Sequence, residues 1–148
     1  MEGGAVPTGG TSNWKDNTLS DSGQAATCLS NGSNCAIKDL MTGLTWFKGD
    51  SQTKSWYAAV YYCGTLSLSG KSWRLPTQKE LMVAYANTIR NTVGSGTVQN
   101  YNLPWWSSTT DSTDPQKGWT VNLATGATVS QVKTTSPAVA KALCVRSD

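Results

Sequence analysis

The chain has 148 residues, within the usual size of one domain, so one core is expected and not two independent ones. Only 14% of residues are Asp, Glu, Lys or Arg, the net charge is +3, and histidine is absent; this excludes histidine-based acid–base or metal chemistry, and the dispersed lysines form no basic helix of the kind that binds nucleic acid. No apolar run of roughly eighteen residues exists, so no direct membrane insertion is expected, and Met1-Glu2-Gly3-Gly4 lacks the basic and apolar regions of a signal peptide, which places any export signal outside this sequence.

Residues 1–27 read as a Gly/Ser/Thr-rich tether or stalk end, because Gly3-Gly4, Pro7 and Gly9-Gly10 offer little to bury. Trp14 is the exception, and packing of its ring onto nearby surface is favoured over contact with a neighbouring subunit. The domain proper is expected over 28–148. Its four cysteines, Cys28, Cys35, Cys63 and Cys144, allow three pairings or a metal site. With no histidine and no CxxC, zinc is the weaker reading. Two disulfides are favoured: a local Cys28–Cys35 loop, and a long Cys63–Cys144 closure joining a helix to the last strand. Two disulfides imply an oxidising compartment.

Thr42-Gly43 lies between Ala36–Leu40 and Leu44–Phe47 like the turn of a short hairpin. A helix follows, capped by Thr53 or Ser55, with Trp56, Ala59, Val60 and Cys63 at i, i+3, i+4 and i+7 forming one buried stripe. A second helix starts at Thr77, which forms an S/T-x-x-E capping box with Glu80 behind Pro76, and is expected to reach Thr88–Arg90. Leu81, Ala84, Tyr85 and Thr88 supply its inner face. Arg74, just before the cap, is a candidate for a buried pair with Asp39 or for a bond to a backbone carbonyl.

Asn91 to Asn102 reads as a long Gly-rich loop, Trp105-Trp106-Ser-Ser-Thr as a core strand, and Asp111 to Lys117 as a second polar loop. Trp119, Val121 and Leu123 then alternate with polar residues, Thr125-Gly126 turns the chain, and Ala127 to Lys133 returns as a polar edge strand. Ala142 to Arg146, apolar on both faces, suggests a central strand.

Taken in order, Asp39 with Thr42-Gly-Leu-Thr-Trp46, Trp56 with the helix ending Tyr62-Cys63, Trp73-Arg-Leu-Pro-Thr77 with Glu80-Leu81, Trp106-Ser-Ser-Thr109 and Cys144-Val-Arg146 resemble the C-terminal domain family of bacterial collagen-like adhesins, over about residues 36–148. The resemblance implies a C-type lectin-like α+β fold: two helices packed on a small twisted antiparallel sheet with long loops. It also implies a Cys63–Cys144 disulfide, and a tip domain of a secreted or surface bacterial fibre, trimeric in several members, that adheres to polysaccharide or to other cells.

No Glu-Pro-Asn, Gln-Pro-Asp or Trp-Asn-Asp triplet of calcium-dependent lectins is present. Asp111 and Asp114 therefore read as a solvated turn, and no cofactor or metal is expected. Asp39, Asp50, Glu80, Asp111 and Asp114 form no evident catalytic pair, so the expectation is a non-enzymatic protein. A related fold houses an oxidase with reactive cysteines, but the placement of Cys63 and Cys144 favours a structural bond.

Trp46, Trp56, Trp73, Trp106 and Trp119 are assigned to the core. Tyr101 and Trp105, out of phase with Trp106, are the expected sugar-stacking rings, with Asn100, Asn102 and Lys117 for hydrogen bonds. The expected function is an extracellular or cell-surface adhesive tip, a homotrimer binding cell-surface polysaccharide or another cell-envelope ligand. The alternatives are a structural trimerisation or capping module and, behind it, a cysteine-dependent enzyme.

Overall fold

Pairs of adjacent apolar residues recur along the strands, and the fold uses them by covering both faces. A computed structural model describes residues 14–16, 35–48, 52–92 and 101–147. It shows an α+β domain with two helices and two sheets. Strands β1 (Trp14–Asp16), β2 (Cys35–Asp39), β3 (Leu44–Lys48) and β9 (Cys144–Ser147) form an antiparallel sheet in the order β1-β2-β3-β9. The second sheet runs β4-β8-β5-β6-β7, built from β4 (Thr53–Lys54), β5 (Pro104–Asp111), β6 (Asp114–Asn122), β7 (Thr128–Val132) and β8 (Ala140–Lys141). Neighbouring side chains on a strand point to opposite faces. Accordingly Ile37, Trp46, Trp105, Leu143 and Val145 enter one apolar cluster, while Ala36, Phe47, Trp106, Ala142 and Cys144 enter another.

Each helix closes one cluster. Helix α1 (Trp56–Gly64) starts at Ser55, whose hydroxyl accepts the Ala58 amide, and buries Ala59 and Cys63. Its expected stripe is narrower than the spacing suggests, since Val60 is exposed and Trp56 only half-buried. Cys63 is bonded to Cys144 with a Cα separation of 5.3 Å, as expected. The Cys28–Cys35 pairing and Asn100 lie outside the residues and side chains described.

Helix α2 (Gln78–Ala86) buries Leu81 and Ala84 in the other cluster. Thr77 and Glu80 form the full capping box: the Glu80 amide donates to the Thr77 hydroxyl and the Thr77 amide to the Glu80 carboxylate, at 3.1 and 2.8 Å. The helix ends before Thr88, which sits at φ 65°, so the expected extension to Arg90 is replaced by a short 3-10 turn over Ile89–Thr92.

Arg74 does not pair with Asp39. Its guanidinium donates twice to Glu80, at 2.6 and 2.7 Å, because the cap folds the chain back on itself. Asp39 is buried and accepts instead from the Met41 amide and from the Asn87 side chain at the end of α2. The Asn87 carbonyl in turn accepts the Trp14 indole N–H at 2.7 Å. Thus part of the stretch read as a tether is a strand whose tryptophan is buried, matching the expectation that the ring packs on nearby surface.

Two further corrections concern the sheets. Strand β9 is the last strand of its sheet, although its outer side is partly satisfied by two backbone bonds between Val145 and Arg74. Asp111 to Lys117 is no open loop: β5 and β6 continue to Asp111 and Asp114 and pair there, leaving Ser112-Thr113 as the turn. The β6–β7 hairpin turns at Gly126, whose φ of 78° and whose contact with Tyr85, 2.7 Å from where a Cβ would stand, both require glycine.

Replacing Cys63 and Cys144 by serine opens a loop of sequence separation 81 and is expected to cost about 4 kcal/mol, read as a lower denaturant midpoint. Thr77→Ala is expected to lose about 1 kcal/mol. The Arg74 guanidinium, and then the Thr77 amide, hold the Glu80 carboxyl below its usual range. Its folded-state value is thus lower than its unfolded one, so its contribution is complete above the ordinary glutamate range and is lost as pH falls through the folded value. Glu80→Gln should flatten that acid limb in melts taken across pH.

Candidate functional site

The end of the five-stranded sheet near the β5–β6 turn gathers the polar chemistry. Register there is broken on purpose: Trp106 faces Thr120 but Thr110 faces Gly118, so the Ser107-Ser108-Thr109 segment bulges opposite Trp119. Short hydroxyl residues suit the bulge because they replace the lost ladder bonds. The Ser107 hydroxyl donates to the Trp119 carbonyl at 2.8 Å, and the Ser108 amide to the Pro76 carbonyl at 2.7 Å. The Thr109 hydroxyl accepts the Gln78 amide at 2.9 Å, which ties the bulge to the start of α2.

The bulge also positions Trp56, whose indole N–H donates to the Ser107 carbonyl at 2.9 Å. One edge of this ring lies so close to Gly118 that a Cβ there would stand 2.9 Å from it. The Lys133 ammonium sits 4.0 Å from the ring centre and donates to the Thr110 hydroxyl at 2.9 Å. Lys133 is 6% exposed, and no carboxylate pairs with it among the described residues. A cation buried without a counter-ion is costly, and the tryptophan face offsets part of that cost. Tyr57 packs edge-on against Trp56 at 5.2 Å.

On the opposite face of β6 from this cluster, Lys117 is paired with Val132 on the neighbouring strand and lies 3.9 Å from Asp114, with 40% of its side chain exposed. Asp111 takes a Ser130 hydroxyl at 2.6 Å and both the amide and hydroxyl of Thr113. Those donors, Ser130 first, hold its carboxyl below the usual range. Asp114 accepts the Gln116 amide. Both carboxylates are thus engaged in shaping a turn, and among the described residues no three Asp, Glu, Cys or His side chains are grouped to hold a metal ion.

The aromatic residues singled out in the sequence are elsewhere. Tyr101 is 3% and Trp105 0% exposed, in the cluster closed by α2, with ring centres 5.7 Å apart. Burial drives the Tyr101 hydroxyl well above its usual pKa, and its partner is the Thr92 hydroxyl at 3.2 Å. Neither ring presents a face to solvent: Trp105 is on β5, a central strand, and Tyr101, just before that strand, packs into the same cluster. Of that set, Asn102 is exposed and Lys117 half-buried, Asn102 accepting from the Asn122 side-chain amide at 3.3 Å. Trp46, Trp73 and Trp106 are core residues as expected, whereas Trp56 and Trp119 are only half-buried. The signal for Trp56 was its place at the very start of a helix, where a side chain can straddle core and surface.

The α+β domain is stapled by the long Cys63–Cys144 disulfide, a bond that persists in oxidising compartments, and no helix among the described residues is long and apolar enough to cross a membrane. A family profile described as the Lcl C-terminal domain matches residues 35–146, and the chain belongs to that family. Membership points to the C-terminal domain of a collagen-like adhesin, and to a surface or extracellular protein. No curated protein matches the chain.

Gly118→Ala is expected to push Trp56 out of its seat, costing about 1–3 kcal/mol and changing the tryptophan emission spectrum. Trp105→Ala should cost about 3–5 kcal/mol in a chemical melt, as expected of a core ring and not of a contact residue.

Proposed function

We propose that this domain is the non-enzymatic adhesive tip of a secreted or surface fibre, which holds polysaccharide on another cell or on the cell envelope. The family match over residues 35–146 carries this reading. It is supported by the sheet end near the β5–β6 turn, where Lys117 leaves 40% of its side chain exposed on one face and Lys133, Trp56 and the Thr110 hydroxyl cluster on the other. Indole faces and cations are groups that engage sugar rings and acidic substituents. The joining of Cys63 to Cys144, both fully buried, supports a structural and not a catalytic role for those sulfurs.

We further propose a C-type lectin-like arrangement and assembly as a homotrimer, in which three weak sites act together through avidity. The burial of Tyr101 and Trp105 gives some support to a second reading, a structural cap that only ends a fibre. A polysaccharide array separates the two. Wild-type protein should bind, and Lys117→Ala, folded by circular dichroism, should bind several-fold more weakly to acidic polysaccharides at low salt, with the difference shrinking as salt screens the contact over about 8–10 Å. No binding by wild type to any polysaccharide would favour the cap. Sedimentation equilibrium should give three times the chain mass, and monomer alone at high micromolar concentration would sink the trimer.

A further inference from the structure

Helix α1 has no charged residue, and its outward side is aromatic. Tyr61 is 72% exposed and Tyr57 53%, with Val60 at 37% between them. Neither phenol hydroxyl has a hydrogen-bond partner among the described residues. The helix is seated by Ala59, Cys63 and the Ser55 cap, and Tyr57 meets the ring of Trp56 edge-on within it. At i and i+4, Tyr57 and Tyr61 stand on successive turns of one face, with Cβ atoms about 5–6 Å apart. That step is comparable to the length of one sugar residue in a chain.

Which occupant fits is decided by area and charge. A stable folded partner needs about 800 Å² on each side, whereas a whole tyrosine buries only about 150–250 Å². Two partly exposed tyrosines and one valine fall far short. A lipid surface calls for Lys and Arg along the polar side of the helix, and α1 has none. A pyranose, by contrast, needs one ring face per residue. Both borders are furnished with cations parked on aromatic rings, Lys54 at 4.7 Å from the centre of Tyr62 and Lys133 over Trp56.

We propose that Tyr57 and Tyr61 are two consecutive stacking subsites for the pyranose rings of a polysaccharide lying along α1, held by ring faces and independent of charge. This rests on the adhesive reading above. The test uses the full chain on immobilised neutral polysaccharides (dextran, xylan, galactomannan) and acidic ones (alginate, polygalacturonate), at low salt and in ~1 M NaCl, where screening acts within about 3 Å. Wild type should keep its binding in high salt. Tyr57→Ala with Tyr61→Ala should weaken it about tenfold or more in both conditions, while the paired phenylalanine variant retains it. Near-ultraviolet dichroism and denaturant midpoints establish that each variant is folded. Unchanged binding by the alanine pair, loss of binding by the phenylalanine pair, or collapse of wild-type binding in high salt would each overturn the stacking subsites while leaving an adhesive protein. Absence of wild-type binding to every polysaccharide in both salts would instead overturn the adhesive reading, and the subsites with it.

Discussion

The constraint on which this fold depends is that several strands, β9 at the end of its sheet among them, have both faces covered where they cross the core. A strand with one wet face alternates apolar and polar residues, but Trp46-Phe47, Trp105-Trp106 and Cys144-Val145 place adjacent apolar side chains in two different clusters. The sheets therefore act as a partition, and each helix has its own half of the core to close. This explains why two short helices suffice. Each contributes only a pair of fully buried side chains, Ala59 and Cys63 from one, Leu81 and Ala84 from the other. Small residues at three of those four positions let the helix backbone approach the sheet, and the tryptophans of the strands fill the volume.

Filling a core with tryptophan brings in polar N–H groups that need acceptors. The fold meets most of that demand with carbonyls at irregular points or at a sheet edge: Trp14 on Asn87 at the end of α2, Trp73 on Leu68, Trp56 on Ser107 in the bulge, and Trp106 on Lys54 in the edge strand β4. Regular ladder positions inside a sheet have no carbonyl to spare, whereas bulges, helix ends and sheet edges do. Irregularity in this domain is thus coupled to its aromatic composition, and Ser-Ser-Thr after Trp106 serves Trp56 and the α2 start together. The indoles of Trp46 and Trp105 have no acceptor among the described residues.

Local signals in the sequence were legible where the physics is local. The Thr42-Gly43 turn, the Thr77–Glu80 box and the polar β7 edge are each set within a few residues, and each is present. Long-range partners were legible only where chemistry is exclusive, as with Cys63 and Cys144. Arg74 and Asp39 look like a pair in the sequence, yet a carboxylate six residues away and an asparagine 48 residues away satisfy them separately. Tyr101 and Trp105 were misplaced for a related reason: alternation tells which side of a strand a residue takes, but not whether that side is wet. Asp111 to Lys117 has loop composition because its strands run out past the core, where polar side chains cover both faces at no cost.

The disulfide has a mechanical consequence for this domain. Tension applied between the two chain ends passes through the Cys63–Cys144 bond, so the intervening segment, which contains α2 and the whole β5–β6–β7 ribbon, lies outside the covalent line of force. Load entering before Trp14 meets first the three-residue pairing of β1 with β2 and the indole bond to Asn87. These are the parts free to yield. Unravelling under load lengthens the chain only as far as Cys63, while the bulge, Lys117 and Gly118 lie within the closed loop between the two cysteines. The arrangement behaves as a fuse in series with an anchored head: β1 and its partner strand take up the stretch, and the β5–β6–β7 ribbon is the last part to lose its shape.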